Sequence, residues 1–247
     1  MRHPVLAAIS KQAMSSSISA SKASSQGSTT STSTQGGSAW RTIASVFPAS
    51  TNIPGGLSAD QTPQFVTLTI DDAIQPRTFD AFYPVIQQNF TNPNGCPLPV
   101  TYFLSNNWAD YAYATRLYNY GNEIAVHTVD HIDLASNPVN ATSQINSSYV
   151  ATHMIAGIPQ PSLIGFRHPF LSYSKATFDA IYSLKTRIRY DSSVTVNPVK
   201  NPYWPHTLDN GVPYGFLNCA SCPPGSSFIY PGMSYFTVPR RDESLSV

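Results

Sequence analysis

Charge is what this sequence has least of. Its 247 residues include 14 Lys and Arg against 13 Asp and Glu, a net charge of +1 with only 11% of residues charged. A nucleic-acid binder shows a basic stripe or patch, and none is visible, so nucleic acid is not an expected partner. Long apolar runs are missing as well. No stretch approaches the ~18 apolar residues of a membrane span, so no transmembrane segment is expected. At the start, Arg2 and His3 precede only a short apolar run, Val5 to Ile9, which Lys11 interrupts. That is a poor signal-peptide core, and it leaves a misassigned start or a fragment as the expectation. Cysteine is scarce and odd in number: Cys96, Cys219 and Cys222. One of them stays unpaired unless it bonds to another chain or to a missing segment. Cys219 and Cys222 form a CxxC, but no second CxxC or Cys/His pair follows, so the ligand count of a structural zinc site is not met.

What is present is apolar and turn-rich. Hydrophobic residues make up 41% and aromatics 12%, enough for a sizeable core, and the 21 prolines point to many fixed loops. Three glycosylation triplets occur, at Asn89, Asn140 and Asn146. With the cysteines they lean towards a secreted or cell-wall-associated protein. Residues 1–38 end in a Ser/Thr-dominated stretch that cannot form a packed core and reads as a disordered or O-glycosylated tail. Residues 39–63 read as a lead-in, with Trp40 and Phe47 available for docking. Residues 64–247 read as the globular domain.

Inside that domain β-branched and aromatic runs alternate with helical patterns. The expected strands are Phe65 to Ile70, Val100 to Leu104, Glu123 to Val126, Leu163 to Phe166 and Arg187 to Tyr190. The expected helices are Thr78 to Gln88, Tyr111 to Tyr120 (closed by Gly121), Asn140 to Met154 and Lys175 to Leu184. This alternation is the signature of βα units around a parallel sheet, open or closed into a barrel, hence an α/β fold.

Polar clusters follow the strands. Asp71-Asp72 ends the first, His127-Thr128-Val129-Asp130-His131 the third, Arg167-His168-Pro169-Phe170 the fourth, and Asp191-Ser192-Ser193 the fifth. In parallel βα folds the carboxyl ends of the strands share one face, so these clusters should meet. Each has a bland reading alone. Asp-Asp can cap a helix, HxxxH places two imidazoles on one face only if it is helical, and an arginine after a strand is commonly a surface ion pair. Together they make chemical sense. Two imidazoles and a carboxylate form a three-ligand set with one position open, as hydrolytic zinc sites require. A neighbouring carboxylate outside that set can accept a proton, and Arg167 could orient it.

At these residues the sequence resembles the polysaccharide deacetylases, carbohydrate esterase family four, and most closely their chitin-deacetylase-like branch, over roughly Gln64 to Pro239. Thr69-Ile70-Asp71-Asp72-Ala73 is similar to the first family motif, His127 to His131 to the second, and Phe166 to Phe170 to the third. The resemblance implies that Asp71 is the catalytic base, steadied by Arg167. It implies that Asp72, His127 and His131 hold one divalent metal, Zn2+ with Co2+ as another candidate. Thr128 and Asp191 would be supporting residues, and the Phe170 backbone N–H would form part of an oxyanion hole. Pro169 and Trp204 are the expected substrate-binding positions. Trp108 and Tyr173 are further aromatic candidates, with packing the favoured role for Trp108. Asn94 to Pro97, Tyr190 to Ser193 and Trp204 to Asp209 are further stretches similar to that branch.

The resemblance implies a distorted (β/α) barrel of the polysaccharide deacetylase type. Its expected partner is a polysaccharide, chitin above all, and a monomer is expected. There are departures. Ala73-Ile74 stands for the common Gly-Pro, and Val194 for the usual Trp of the fourth motif. No Leu-x-His follows His206, the last histidine. The expectation is therefore an incomplete barrel: either the chain is truncated at its C-terminal end or the general acid is absent. Two rivals stay open. One is a glycan-binding protein that keeps the metal site without turnover, the other a metal-dependent amidohydrolase of small C–N substrates.

Overall fold

Val100–Leu104 is an unbroken apolar and aromatic run, and all but one of its residues are buried. A strand covered on both faces belongs inside a parallel sheet, and the computed structural model places it there. The structure describes residues 49–63, 65–87, 90–196, 203–212, 219, 222–235 and 238–239. The Ser/Thr-rich segment, Trp40 and Phe47 lie outside the described residues, as does Asn89.

Strands β1 (Leu68–Asp72), β2 (Val100–Leu104), β3 (Glu123–Val126), β4 (Gly165–Phe166) and β5 (Tyr190–Asp191) pair in sequence order, all parallel. Further along the chain come β6 (Thr195–Val196), β7 (His206–Leu208), β8 (Tyr230–Tyr235) and β9 (Val238–Pro239). β8 adds parallel to β5 and β7 pairs antiparallel with β8, giving a seven-stranded order β1-β2-β3-β4-β5-β8-β7. β6 and β9 form a separate parallel pair. Among the described residues no ladder joins β1 to β7. The sheet is a distorted (β/α) barrel whose edges, among the described residues, are β1 and β7.

The helices are α1 (Pro76–Gln87), α2 (Tyr111–Asn119), α3 (Ala141–Ala156) and α4 (Lys175–Ser183). They cover the outer face of β1 to β5, where Tyr102, Leu104, Ile124, Val126 and Phe166 meet Phe79, Leu117, Ile145 and Phe178 in one core. Local chemistry sets the helix ends. The Asp110 side chain accepts from the Ala112 N–H (3.0 Å) to start α2, a cap of the kind worth about 1 kcal/mol. Gly157, at φ 66°, ends α3 in the left-handed region that glycine tolerates. The inner face of the sheet carries Thr69, Asp71, Thr101, Phe103, Glu123 and Tyr190, alternating with the outer set as strand geometry demands.

Several expected boundaries shift. β1 runs from Leu68 to Asp72, not from Phe65 to Ile70; its first partner is Val100, so Phe65 and Val66 have no neighbour and stay exposed. β4 and β5 are shorter and start later than their apolar runs, and β5 ends one residue later, at Asp191. The segment His127 to His131 is not helical: Thr128 and His131 both have positive φ. Cys219 and Cys222 are joined as a disulfide and Cys96 is free, which settles the odd count and removes any metal role for the CxxC.

Candidate metal centre

Asp71 and Asp72 are the last two residues of β1, and successive strand residues face opposite ways. Asp71 takes the inner face. Its Oδ1 accepts from Arg167 Nη1 at 2.8 Å. Asp72 turns over the strand end at φ 80° and meets the histidines that follow β3. Its Oδ1 lies 2.9 Å from His131 Nε2 and 3.7 Å from His127 Nε2.

The two histidines differ in setting. His127 is buried beneath the rim and its Nδ1 donates to the Arg167 carbonyl at 2.7 Å, which leaves the Nε2 lone pair towards Asp72. Burial pushes its pKa down to about 4, so the ring is neutral at physiological pH, as a metal ligand must be. His131 is partly exposed, and the Phe170 ring meets it edge-on at 4.6 Å.

The donor set itself tests whether a divalent ion fits. One ligand atom from each of Asp72, His127 and His131 lies within 4.8 Å of the others. Ligands at ~2.0–2.1 Å in a tetrahedron stand roughly 3.3 Å apart. The observed 2.9 and 3.7 Å bracket that value. With the His127 tautomer set by its outer partner, as metal-ligating histidines require, the three residues fit one divalent ion.

Arg167 is held on every side. Nε donates to the Ser192 carbonyl (2.7 Å), Nη2 to Ser192 Oγ (2.9 Å) and Nη1 to Thr69 Oγ1 (3.0 Å) as well as to Asp71. The face of Phe103 lies 4.1 Å from its Cζ, a cation–π contact. Asp191 is fully buried and does not reach the triad. It accepts from the Ser193 hydroxyl at 2.7 Å, and Ser193 Oγ in turn accepts from the His168 N–H at 2.8 Å, so Asp191 steadies the segment behind Arg167.

Phe170 has φ 59° and is 67% exposed. Its turn is closed by Leu171 N–H to His168 O and Ser172 N–H to Pro169 O, neither of which uses the Phe170 N–H. Pro169 is buried beside it. Thr128 Oγ1 accepts from the His131 N–H at 3.2 Å, a direct support for the second histidine.

The aromatic candidates sort differently from the sequence reading. Tyr173 is 0% exposed and packs near His168 and Phe178, so it is a core residue and not a rim platform. Trp108, read as packing, is 79% exposed with φ 69°. Its loop is pinned at the rim: Ser105 N–H donates to Asp72 O, and Asn107 N–H to Val129 O. Trp204 is half-buried, its N–H donating to Ser50 O and its carbonyl accepting from His206. These contacts do not bring it to the triad. Phe103 and Ser192 were missed; Ser192 at least sits inside a strand-end polar cluster, while Phe103 reads from sequence as ordinary core.

Parallel strands carrying a His-His-Asp donor set and a separate Arg-held carboxylate at their carboxyl ends define a metal-centred α/β barrel protein. The chain belongs to the polysaccharide deacetylase family, whose profile matches residues 58–188, more than half of the chain. It is similar to chitin deacetylase 8 of Bombyx mori, 35% identical over 166 residues, which are 65% of this chain and 43% of that protein. It is also similar to chitin deacetylase 1 of Bombyx mori, 30% identical over 187 residues, 73% of this chain and 34% of that protein. The chain thus spans less than half the length of these relatives. A Streptococcus pyogenes deacetylase solved in complex with acetate aligns with a TM-score of 0.44 at 17% identity, over 56% of this chain and 58% of that one.

Proposed function

We propose that this chain carries the core of a metal-dependent deacetylase that hydrolyses N-acetyl groups on a β-linked glycan, with chitin or a chitin oligomer as substrate and Zn2+ as the ion. The observation that carries this reading is the division of labour between adjacent carboxylates: Asp72 joins the two histidines, while Asp71 is held apart by Arg167. The names of the Bombyx mori relatives support the choice of chitin. Exposed Trp108 and Phe170 support a sugar partner, because aromatic faces stack on the apolar faces of pyranose rings.

An ion held by Asp72, His127 and His131 would supply the Lewis acidity that makes water a usable nucleophile near neutral pH. Asp71, outside that set, accepts the proton that water gives up as it adds to the acetyl carbonyl. Arg167 keeps the Asp71 carboxylate in one orientation. The Phe170 N–H, left out of its own turn's bonds, donates to the oxygen that gains charge. The C–N bond then breaks, giving acetate and a free amine on the glycan.

The amine nitrogen needs a proton to leave. Among the described histidines outside the triad, His153 bonds the Ile158 carbonyl and His168 and His206 are buried. None of these described histidines is placed as that acid; a glycan binder that keeps the metal site without turnover is the rival reading. Acetate release from chitin oligomers by the Zn2+-loaded chain separates the two. Release that falls by about 10²–10⁴-fold in Asp71→Asn supports the deacetylase. Oligomer binding with no release supports the binder, and neither binding nor release overturns both.

We extend the proposal to a secreted chain. Exposed Asn140 and Asn146 and the Cys219–Cys222 disulfide support it, since disulfides persist in oxidising compartments.

A further inference from the structure

Of the five backbone N–H groups in the His127 to His131 loop, those of His127, Val129 and Asp130 donate to acceptors outside it. It forms no helix or ladder of its own, and two of its residues, Thr128 (φ 72°) and His131 (φ 52°), are side-chain-bearing residues in the left-handed region. Such conformations are strained and persist only when the surroundings over-determine them. The supports can be traced one by one. His127 N–H donates to Leu104 O, and Ser105 Oγ to His127 O. Asn106 and Asn107 N–H groups donate to the Thr128 and Val129 carbonyls. Thr128 Oγ1 takes the His131 N–H. The two N–H groups at the apex, of Val129 and Asp130, both go to one atom: Gln144 Oε1, at 3.1 and 3.0 Å. Gln144 Nε2 then donates to Asp130 Oδ2 at 2.6 Å.

Gln144 stands in the first turn of α3, outside every motif of the site. α3 is anchored to the other side of the rim by Asn106 Nδ2 donating to Thr152 Oγ1 at 3.0 Å. The helix is therefore a rigid base from which one amide clamps the stretch between the two imidazoles. We propose that Gln144 is a positioning residue of the metal centre, its side-chain amide fixing the Val129–Asp130 apex so that His127 and His131 present their Nε2 atoms to one ion. This rests on the metal-site reading above.

The test is Zn2+ affinity of the full chain, measured by competition with a chromogenic chelator, beside thermal melts of the metal-free protein. Gln144→Ala should weaken binding about 10- to 100-fold, the range for outer-shell partners of metal ligands, with a melting temperature that stays near wild type. Gln144→Glu keeps the acceptor for both N–H groups but sets a second carboxylate against Asp130, so it should weaken binding too. Pairing it with Asp130→Asn, whose amide can turn its donor towards Glu, should restore affinity to within a few-fold of wild type. A purely structural role would not produce that rescue at constant melting temperature. Wild-type affinity in Gln144→Ala, or failure of the double substitution to rescue, overturns the proposal. No Zn2+ binding by the wild-type chain would instead overturn the metal-site reading itself.

Discussion

Asp71 and Asp72 share a peptide bond and almost nothing else. Strand alternation sends one to Arg167 on the inner face, and a left-handed turn sends the other over the strand end to the histidines. Side-chain-bearing residues with positive φ cluster in the same place: Asp72 ends β1, and Thr128, His131, Phe170 and Leu171 lie on the loops that follow β3 and β4. Strain gathered at one rim is what a pre-organised site looks like. The two carboxylates should therefore separate by substitution. Asp72→Ala or His127→Ala removes a first ligand and should abolish stoichiometric Zn2+ after dialysis, read by metal analysis. Asp71→Asn should keep the metal at full stoichiometry and lose its effect only on turnover.

At the scale of elements, the short strands β4 and β5 place the machinery that β1 needs. β4 carries Gly165 directly before Phe166 and Arg167, and the Tyr190 side chain of β5 lies across that glycine. The Tyr190 hydroxyl reaches past it to Glu123 Oε1 at 2.9 Å, and Thr101 Oγ1 donates to Oε2 of the same carboxylate at 3.0 Å. Burial raises the Glu123 pKa, and burial together with that carboxylate holds the Tyr190 hydroxyl in its protonated, donating form. A Cβ at residue 165 would overlap the Tyr190 hydroxyl. Gly165→Ala should consequently destabilise the fold by about 1–3 kcal/mol, the usual cost of overpacking a tight core. Urea denaturation should show it, with Gly157→Ala on the exposed end of α3 as a control whose strain is local.

For the molecule as a whole, the metal site and acid stability are linked through His127. Its folded pKa of about 4 lies below the ordinary value of 6.5 because burial disfavours the charged ring. Between those values the unfolded chain holds the extra proton, so this residue favours unfolding increasingly as pH falls from 6.5 towards 4, and no further below that. The metal-free protein should lose up to roughly 3 kcal/mol of stability across that window. A series of melts from pH 7.5 to 4 checks the slope, and His127→Phe should flatten it. Added Zn2+ should raise the melting temperature near neutral pH and lose its effect as acid competes for the folded chain's ligands.

Much of this was legible in the sequence, and the reason is local. The order of strands and helices follows from apolar periodicity, and residues at the ends of successive parallel strands must converge on one face. So Asp71, Asp72, His127, His131 and Arg167 could be placed together from their positions alone. The roles of Trp108 and Tyr173 could not, because both are aromatic residues in loops and only the packing around them decides which is buried. Nor could the shape of the His127 to His131 segment, since HxxxH is equally compatible with a helix. Gln144 carries no motif and lies 13 residues beyond His131. Its contribution arises only when α3 folds back across the rim, and a hydrogen bond between distant segments leaves no pattern in either of them.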